Sequence, residues 1–236
     1  PGRLYSQAWQ MWENDNCSAK FYIYSTDSIV TSLELNNMSG GIWVTFCNSY
    51  GCADNNNFEI DRKSVGYSVY VPEYDIFLNE PDDEIFPPAT SLGTITAPVT
   101  GVAYCSGNVV FDVQVDKPGN VDIEIVMPPY ATRTLTTEVV AGQNELTWDG
   151  LDDNGVEVPN GTDLTFSVSY INGLTNLPAY DVEQNPNGFV IELVAPAPEP
   201  SDPPLLVYWD DTNIGGNTNF GGCLSNSSPW AGCRCH

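Results

Sequence analysis

Between Val109 and Val126 the chain spells out two strands and the reversal that joins them. Val109-Val110-Phe111-Asp112-Val113-Gln114-Val115 alternates apolar and polar strictly after its first residue. Val121-Asp122-Ile123-Glu124-Ile125-Val126 alternates again. A period of two gathers apolar residues on one face of a strand; it cannot gather them on one stripe of a helix. Between the two runs, Lys117-Pro118-Gly119-Asn120 puts Pro and Gly where a hairpin wants them.

The same pattern recurs along the chain. Residues 20–35 (KFYIYSTDSIVTSLEL) alternate and are rich in β-branched and aromatic types. Gly41–Phe46 follows an Asn-Asn-Met-Ser-Gly turn, and Tyr67–Val71 and Tyr74–Leu78 come next. Asn79–Pro88 (NEPDDEIFPP) is turn chemistry and sets a domain boundary near residue 90. Beyond it, Thr134–Val140, Asn144–Trp148, Leu164–Ile171 and Gly188–Val194 bring the count to about seven strands in roughly 100 residues, the spacing of an immunoglobulin-like β-sandwich. Ala195–Pro204 (APAPEPSDPP) reads as a semi-rigid, polyproline-like spacer. Leu205–Trp209 looks like a new strand, and Asp210–His236 is a Gly/Asn/Ser-rich stretch with three cysteines. The expected organisation is therefore all-β: an N-terminal sandwich over 1–90, an immunoglobulin-like sandwich over 91–195 and a Pro-rich linker over 196–204. Residues 205–236 complete it as a short Cys-rich tail or the start of an incomplete module.

Charge narrows the function. Against 31 Asp and Glu there are 7 Lys and Arg, a formal net charge of −24, and no cation lies between Arg133 and Arg234. Nucleic-acid binding needs cations to replace phosphate counterions, and this chain has few to offer. Anionic membrane surfaces are disfavoured for the same reason. The sole histidine is His236, so a Ser-His-Asp or Cys-His machine has almost no candidate base and a His-rich metal site fails by count. No apolar run reaches membrane-spanning length. The chain begins at Pro1 and reads as a processed product or an excerpt of a longer one.

Seven cysteines (Cys17, Cys47, Cys52, Cys105, Cys223, Cys233 and Cys235) point to an oxidising, extracytoplasmic setting with disulfides. The number is odd, so one thiol is free or its partner lies elsewhere. Cys223 pairs with Cys233 or Cys235 in the simplest reading. Either Cys47 and Cys52 close a small loop, or Cys47 joins Cys105 and leaves Cys17 to Cys52. Cys233-Arg234-Cys235-His236 is one residue short of a haem-attachment motif and packs three ligands too closely for tetrahedral zinc.

The most specific segment is Trp148-Asp149-Gly150-Leu151-Asp152-Asp153-Asn154-Gly155-Val156-Glu157-Val158-Pro159-Asn160-Gly161-Thr162. Asp149, Asp152 and Asp153 are hard oxygen donors suited to calcium, but the spacing fails the EF-hand pattern. The alternative is a tight hairpin in which Asn154-Gly155 forms a primed turn and Trp148 buries at a strand end. The pattern W-D-G-x-D-D-x-G-x-x-V-P-x-G-T resembles the hairpin of the immunoglobulin-like domain of flagellar hook-capping proteins and many Bacteroidetes surface proteins. Gly2–Trp9, Lys20-Phe21-Tyr22, Phe46-Cys47-Asn48, Arg62-Lys63-Ser64, Tyr74–Asn79, Tyr170–Pro178 and Val207–Asp211 are likewise similar to very large, type IX-secreted Bacteroidetes surface proteins, the gliding-motility adhesins among them. The resemblance implies an extracellular, cell-surface setting. It also makes Asp27-Ser28-Ile29 similar to the O-glycosylation motif of that phylum, with Ser28 as acceptor.

Further candidates are looser. Asp82, Asp83, Asp210 and Asp211 form acidic pairs suited to inter-module calcium. Asn16, Asn37, Asn160 and Asn226 fit the N-glycosylation pattern. Trp9, Trp12, Trp43 and Tyr70 are the aromatics to test as a sugar-stacking platform. The sequence thus leads to a non-catalytic structural or adhesive module of a bacterial surface fibre, stalk or adhesin. Its partners would be other copies or neighbouring modules of the same assembly, with glycans as further candidates. It needs no cofactor unless calcium. The alternative is a carbohydrate-binding module of a secreted polysaccharide-degrading protein.

Overall fold

The computed structural model describes residues 9–11, 17–38, 40–44, 48–49, 73–176, 179–180, 188–200, 202, 205 and 207. Among them every regular element is a strand and every strand pair is antiparallel, so the all-β reading holds. The strands fall into two units, and the second interrupts the first. The first unit contributes β1 (Trp9–Met11), β2 (Cys17–Tyr24), β3 (Val30–Met38), β4 (Gly40–Val44) and β5 (Asp75–Phe77). Leu92–Leu174 then forms the described part of the second unit, with β6 (Thr100–Ala103), β7 (Val109–Val115), β8 (Gly119–Val126), β9 (Arg133–Val139), β10 (Gly142–Trp148) and β11 (Thr165–Ile171). The chain returns to the first unit for β12 (Ala179–Tyr180) and β13 (Phe189–Ala195).

In the first unit the alternating run 20–35 is not one strand but a hairpin. Ser25 N donates to Ile29 O at 3.0 Å and Ser28 N to Ser25 O at 3.0 Å, while Ser28 takes φ 63°. This is a type I turn closed by a left-handed residue, the three-residue hairpin loop in which glycine is the usual occupant. Phe21, Ile23, Ile29, Val30, Leu33 and Leu35 are buried around it. The sheet order is β13-β3-β2-β5, and a second sheet runs β1-β4-β12. β13 is the run expected to complete the second sandwich. It lies instead along β3, from Phe189 opposite Leu35 to Leu193 opposite Thr31, with a bulge before Ala195. A period-two pattern fixes which face of a strand is apolar but not which sheet receives it.

The second unit is a two-layer arrangement consistent with a β-sandwich. One sheet runs β6-β7-β10 and the other β9-β8-β11, so the two strands read first from the sequence are the central ones. Phe111, Val113 and Val115 of β7 meet Val121, Ile123 and Ile125 of β8 in one core, joined by Val139, Leu146 and Trp148. Each side chain so buried stabilises by about 1.5–3 kcal/mol. The crossover from β7 to β8 is held by Tyr170 of β11, whose hydroxyl lies 2.6 Å from Lys117 O and 2.9 Å from Pro118 O. Its ring leaves no room for a side chain at two positions: a Cβ on Gly93 would sit 2.7 Å from the Tyr170 oxygen, and one on Gly119 2.8 Å from it.

Candidate functional sites

The 149–162 segment is a turn built around a buried carboxylate. Asp152 N donates to Val156 O at 2.9 Å and Gly155 N to Asp152 O at 3.0 Å; Gly155 takes φ 74°. Asn154 does not share the positive φ, so the expected primed turn is a type I turn with a left-handed glycine after it, as at Ser28. The longer loop is what frees Asp152 to turn inward. Its Oδ1 accepts from Asn154 N (2.9 Å) and Val156 N (2.8 Å), and its Oδ2 from Ala131 N (3.1 Å). One side chain thereby ties this hairpin to the β8–β9 connection. The Val156 amide above all, with those of Ala131 and Asn154 and the nearby Arg133 guanidinium, holds the Asp152 carboxyl below its ordinary value of 3.8; burial opposes them. Trp148 Nε1 donates to Leu151 O at 2.7 Å, fixing the indole at the strand end.

The calcium expectation for this loop meets an arrangement of another kind. The Asp152 oxygens face amide protons, Asp149 Oδ1 accepts from Leu151 N at 3.1 Å, and Asp153 lies 3.5 Å from Arg133. In the acidic turn, Asp82 Oδ1 accepts from Glu84 N at 2.9 Å, and Ile85 N and Phe86 N bond to Asp82 O; Asp83 is exposed. Among the described residues no group of three or more His, Cys, Asp or Glu is placed to hold a metal ion. Asp210 and Asp211 lie outside the described residues.

Ser28, the resemblance-based glycosylation candidate, occupies the left-handed turn position, half-buried, with its Oγ 2.9 Å from Tyr24 Oη and its carbonyl accepting from Ala89 N at 2.8 Å. Beside it Ser25 Oγ donates to Asp27. Burial raises the Tyr74 hydroxyl well above its ordinary value, with Glu73 and Asp27 adding to the effect. Ser49 supplies both its N–H and its hydroxyl to Glu73 Oε2, each at 2.7 Å.

Of the cysteines, Cys105 is a free, exposed thiol at the tip of the β6–β7 turn, which corrects its candidacy for a bridge to Cys47. The turn, closed by Tyr104 N to Asn108 O (2.9 Å), is exposed throughout its tip and carries Cys105 into solvent. Cys17 opens β2 opposite Met38. Cys47, Cys52, Cys223, Cys233 and Cys235 lie outside the described residues. So do Trp12 and Tyr70 of the aromatic set. Trp9 is the register partner of Ile42, and Trp43 that of Tyr180, an aromatic position that sequence reading had passed over.

One further feature was not legible as a strand run. β6 is short and follows Pro98, so alternation did not reveal it. A two-residue connection, Val140-Ala141, joins β9 to β10 and sets them on one flank of the second unit; β6 and β11 edge the other. On the first flank the inward side chains of Val139, Leu146 and Trp148 are buried. On the second, Gly101, Ala103 and Phe166 also occupy inward register positions, opposite Phe111, Val109 and Ile125, yet are exposed. Gly93 N donates to Asn172 Oδ1 (2.8 Å) against the Tyr170 ring, and Phe166 meets buried Phe111 edge-on at 4.9 Å. Both edges are uncharged: no charged residue occurs from Ile85 to Phe111 or from Leu164 to Tyr180.

No protein-family model, no curated protein and no solved structure matches this chain.

Proposed function

We propose that this chain is a non-catalytic, extracellular structural and adhesive module of a bacterial surface fibre, stalk or adhesin. Its units belong to the immunoglobulin-like type, followed by a Pro-rich linker and a Cys-rich tail. The resemblance to gliding-motility adhesins supports a cell-surface setting reached by type IX secretion. The observation that carries the reading is the insertion of the second unit into the first. Tension applied through the two ends of the chain passes through the first unit, where the β13–β3 ladder runs from Phe189 to Ala195. Leu92 and Leu174 are both reached through that unit, so the inserted unit carries no load while the first stays folded. A trunk that takes tension and a side module that is displayed suit a stalk. The abundant negative charge keeps neighbouring chains apart in solution. Several carboxylates, those of Asp152, Asp82 and Glu73 among them, hold backbone in place.

The load path has a direct test in single-molecule extension of the chain held by its ends. The expected trace releases the inserted unit, about 300 Å of contour length from roughly 80 residues, only after the first unit has yielded. Release of that length as the first event would remove the trunk-and-side-module reading.

A further inference from the structure

We infer that the loop end of the second unit binds a neutral carbohydrate. Tyr104 is its stacking platform, and the carboxamides of Asn108 and Asn160 with the Ser106 hydroxyl bond the sugar hydroxyls. The inference names the ligand class that the adhesive reading leaves open and rests on that reading for its biological setting; the binding itself stands on the geometry of one unit.

The loops there hold one another in place. The β6–β7 turn is a three-residue hairpin loop: Gly107 N donates to Tyr104 O at 3.0 Å, Tyr104 N to Asn108 O at 2.9 Å, and Gly107 takes φ 93°. The 149–162 loop meets this turn backbone to backbone, because Gly150 has no side chain; a Cβ there would lie 3.0 Å from Gly107 O. Val158 N donates to Gly150 O (2.9 Å) at the base of that loop. Around Asn160, Thr162 donates both its N–H (3.2 Å) and its hydroxyl (2.7 Å) to Pro159 O. A Cβ on Gly107 would lie 3.6 Å from Asn160 Oδ1, so the Asn160 carboxamide stands beside the tip of the turn. Loops fixed before binding lose little further entropy when a ligand arrives.

The side chains they present have the chemistry of sugar recognition. Ala103 and Val109 occupy inward register positions, so Tyr104 and Asn108, which close the hairpin beyond them, face outward with the pair Val102 and Val110. Tyr104 is 54% exposed. Its ring offers a rigid apolar plate to the C–H face of a pyranose and a hydroxyl at the rim. A carboxamide both donates and accepts, which suits neighbouring sugar hydroxyls. Tyr, Ser, Gly and Asn are also the residues that recognition loops favour, since they combine contact area at small entropic cost with adaptable hydrogen bonding. Charge selects a neutral ligand. No charged residue lies from Ile85 to Phe111, the neighbouring loop adds exposed Asp149, Asp153 and Glu157, and Arg133 is engaged by Asp153 at 3.5 Å. An acidic glycan meets repulsion there.

The test titrates the full chain with neutral oligosaccharides of glucose, mannose, galactose and xylose, and with oligogalacturonate as the acidic control. Saturation-transfer difference NMR reads the binding, and contacts weaker than about 1 mM count as none. At least one neutral series is expected to bind, and the acidic one is not. Tyr104→Ala and Asn160→Ala are each expected to weaken that binding about tenfold, with unchanged circular dichroism, since both positions are exposed. Tyr104→Phe keeps the plate and should keep most of the affinity. Absence of binding to every neutral series would overturn the inference. So would binding that Tyr104→Ala leaves unchanged, which puts the ligand elsewhere, or tighter binding of the acidic series. No binding by a protein still found on the cell surface removes this site and leaves the fibre reading standing; binding by a protein found only inside the cell does the reverse.

Discussion

Trp148→Ala is expected to cost the second unit about 3–5 kcal/mol and to bring it close to unfolding, since a unit of roughly 80 residues has only about 4–12 kcal/mol in total. Trp148 ends β10 opposite Val109, is buried in the core, and donates its indole N–H to Leu151 O at 2.7 Å. Truncation opens a cavity between the sheets and strips the Leu151 carbonyl of its donor. Trp148→Phe keeps most of the volume and loses the hydrogen bond, so it is expected to cost about 1–2 kcal/mol. Hydrogen exchange reads the effect unit by unit: protection of β7, β8 and β10 should fall together while β2 and β3 keep theirs. Unchanged protection in β7 and β8 would mean that the hairpin is not part of the core.

Asp152→Ala is expected to lower the melting temperature of the same unit by roughly 10 °C or more, because it orphans three backbone N–H groups at once, those of Ala131, Asn154 and Val156. Asp152→Asn should fall between, since one amide-bearing edge must then face a donor. The wild type should also show an acid dependence that both variants lose. The folded-state pKa of Asp152 is depressed, so its contribution is complete above the ordinary value of 3.8 and disappears as pH falls through the lowered one. Melting curves from neutral pH down to about pH 2 should therefore show wild type and Asp152→Ala converging only at the acid end. A gap that stays constant across the range would show that the carboxylate charge plays no part.

Much of the second unit was legible because its strands are half-buried and therefore alternate. β7 and β8 follow the pattern almost residue for residue, and both became central strands. What sequence could not supply was the assignment of strands to sheets. Phe189–Ala195 has the composition of any core strand, and only the unfilled edge of β3 decides where it goes. The hairpin within 20–35 was written in Ser25-Thr26-Asp27-Ser28, a run of turn formers masked by strong alternation on both sides. The primed turn expected at Asn154-Gly155 failed on one residue of loop length, since Asp152 and Val156 rather than the inner pair close the hairpin. The role of Asp152 was not legible for a physical reason: a carboxylate suited to a cation is equally suited to a cluster of amide protons, and only geometry shows the amides it holds. Tyr170 gave no signal at all, because two glycines distant in sequence, Gly93 and Gly119, make its slot.

A surface fibre or adhesin must be displayed outside the cell that makes it. Immunogold labelling of intact producing cells, with antibody raised against the inserted unit, tests this directly. The expected result is label on the cell surface or on material extending from it, removed by brief protease treatment of intact cells. Label seen only after the cells are broken open would contradict a surface fibre or adhesin.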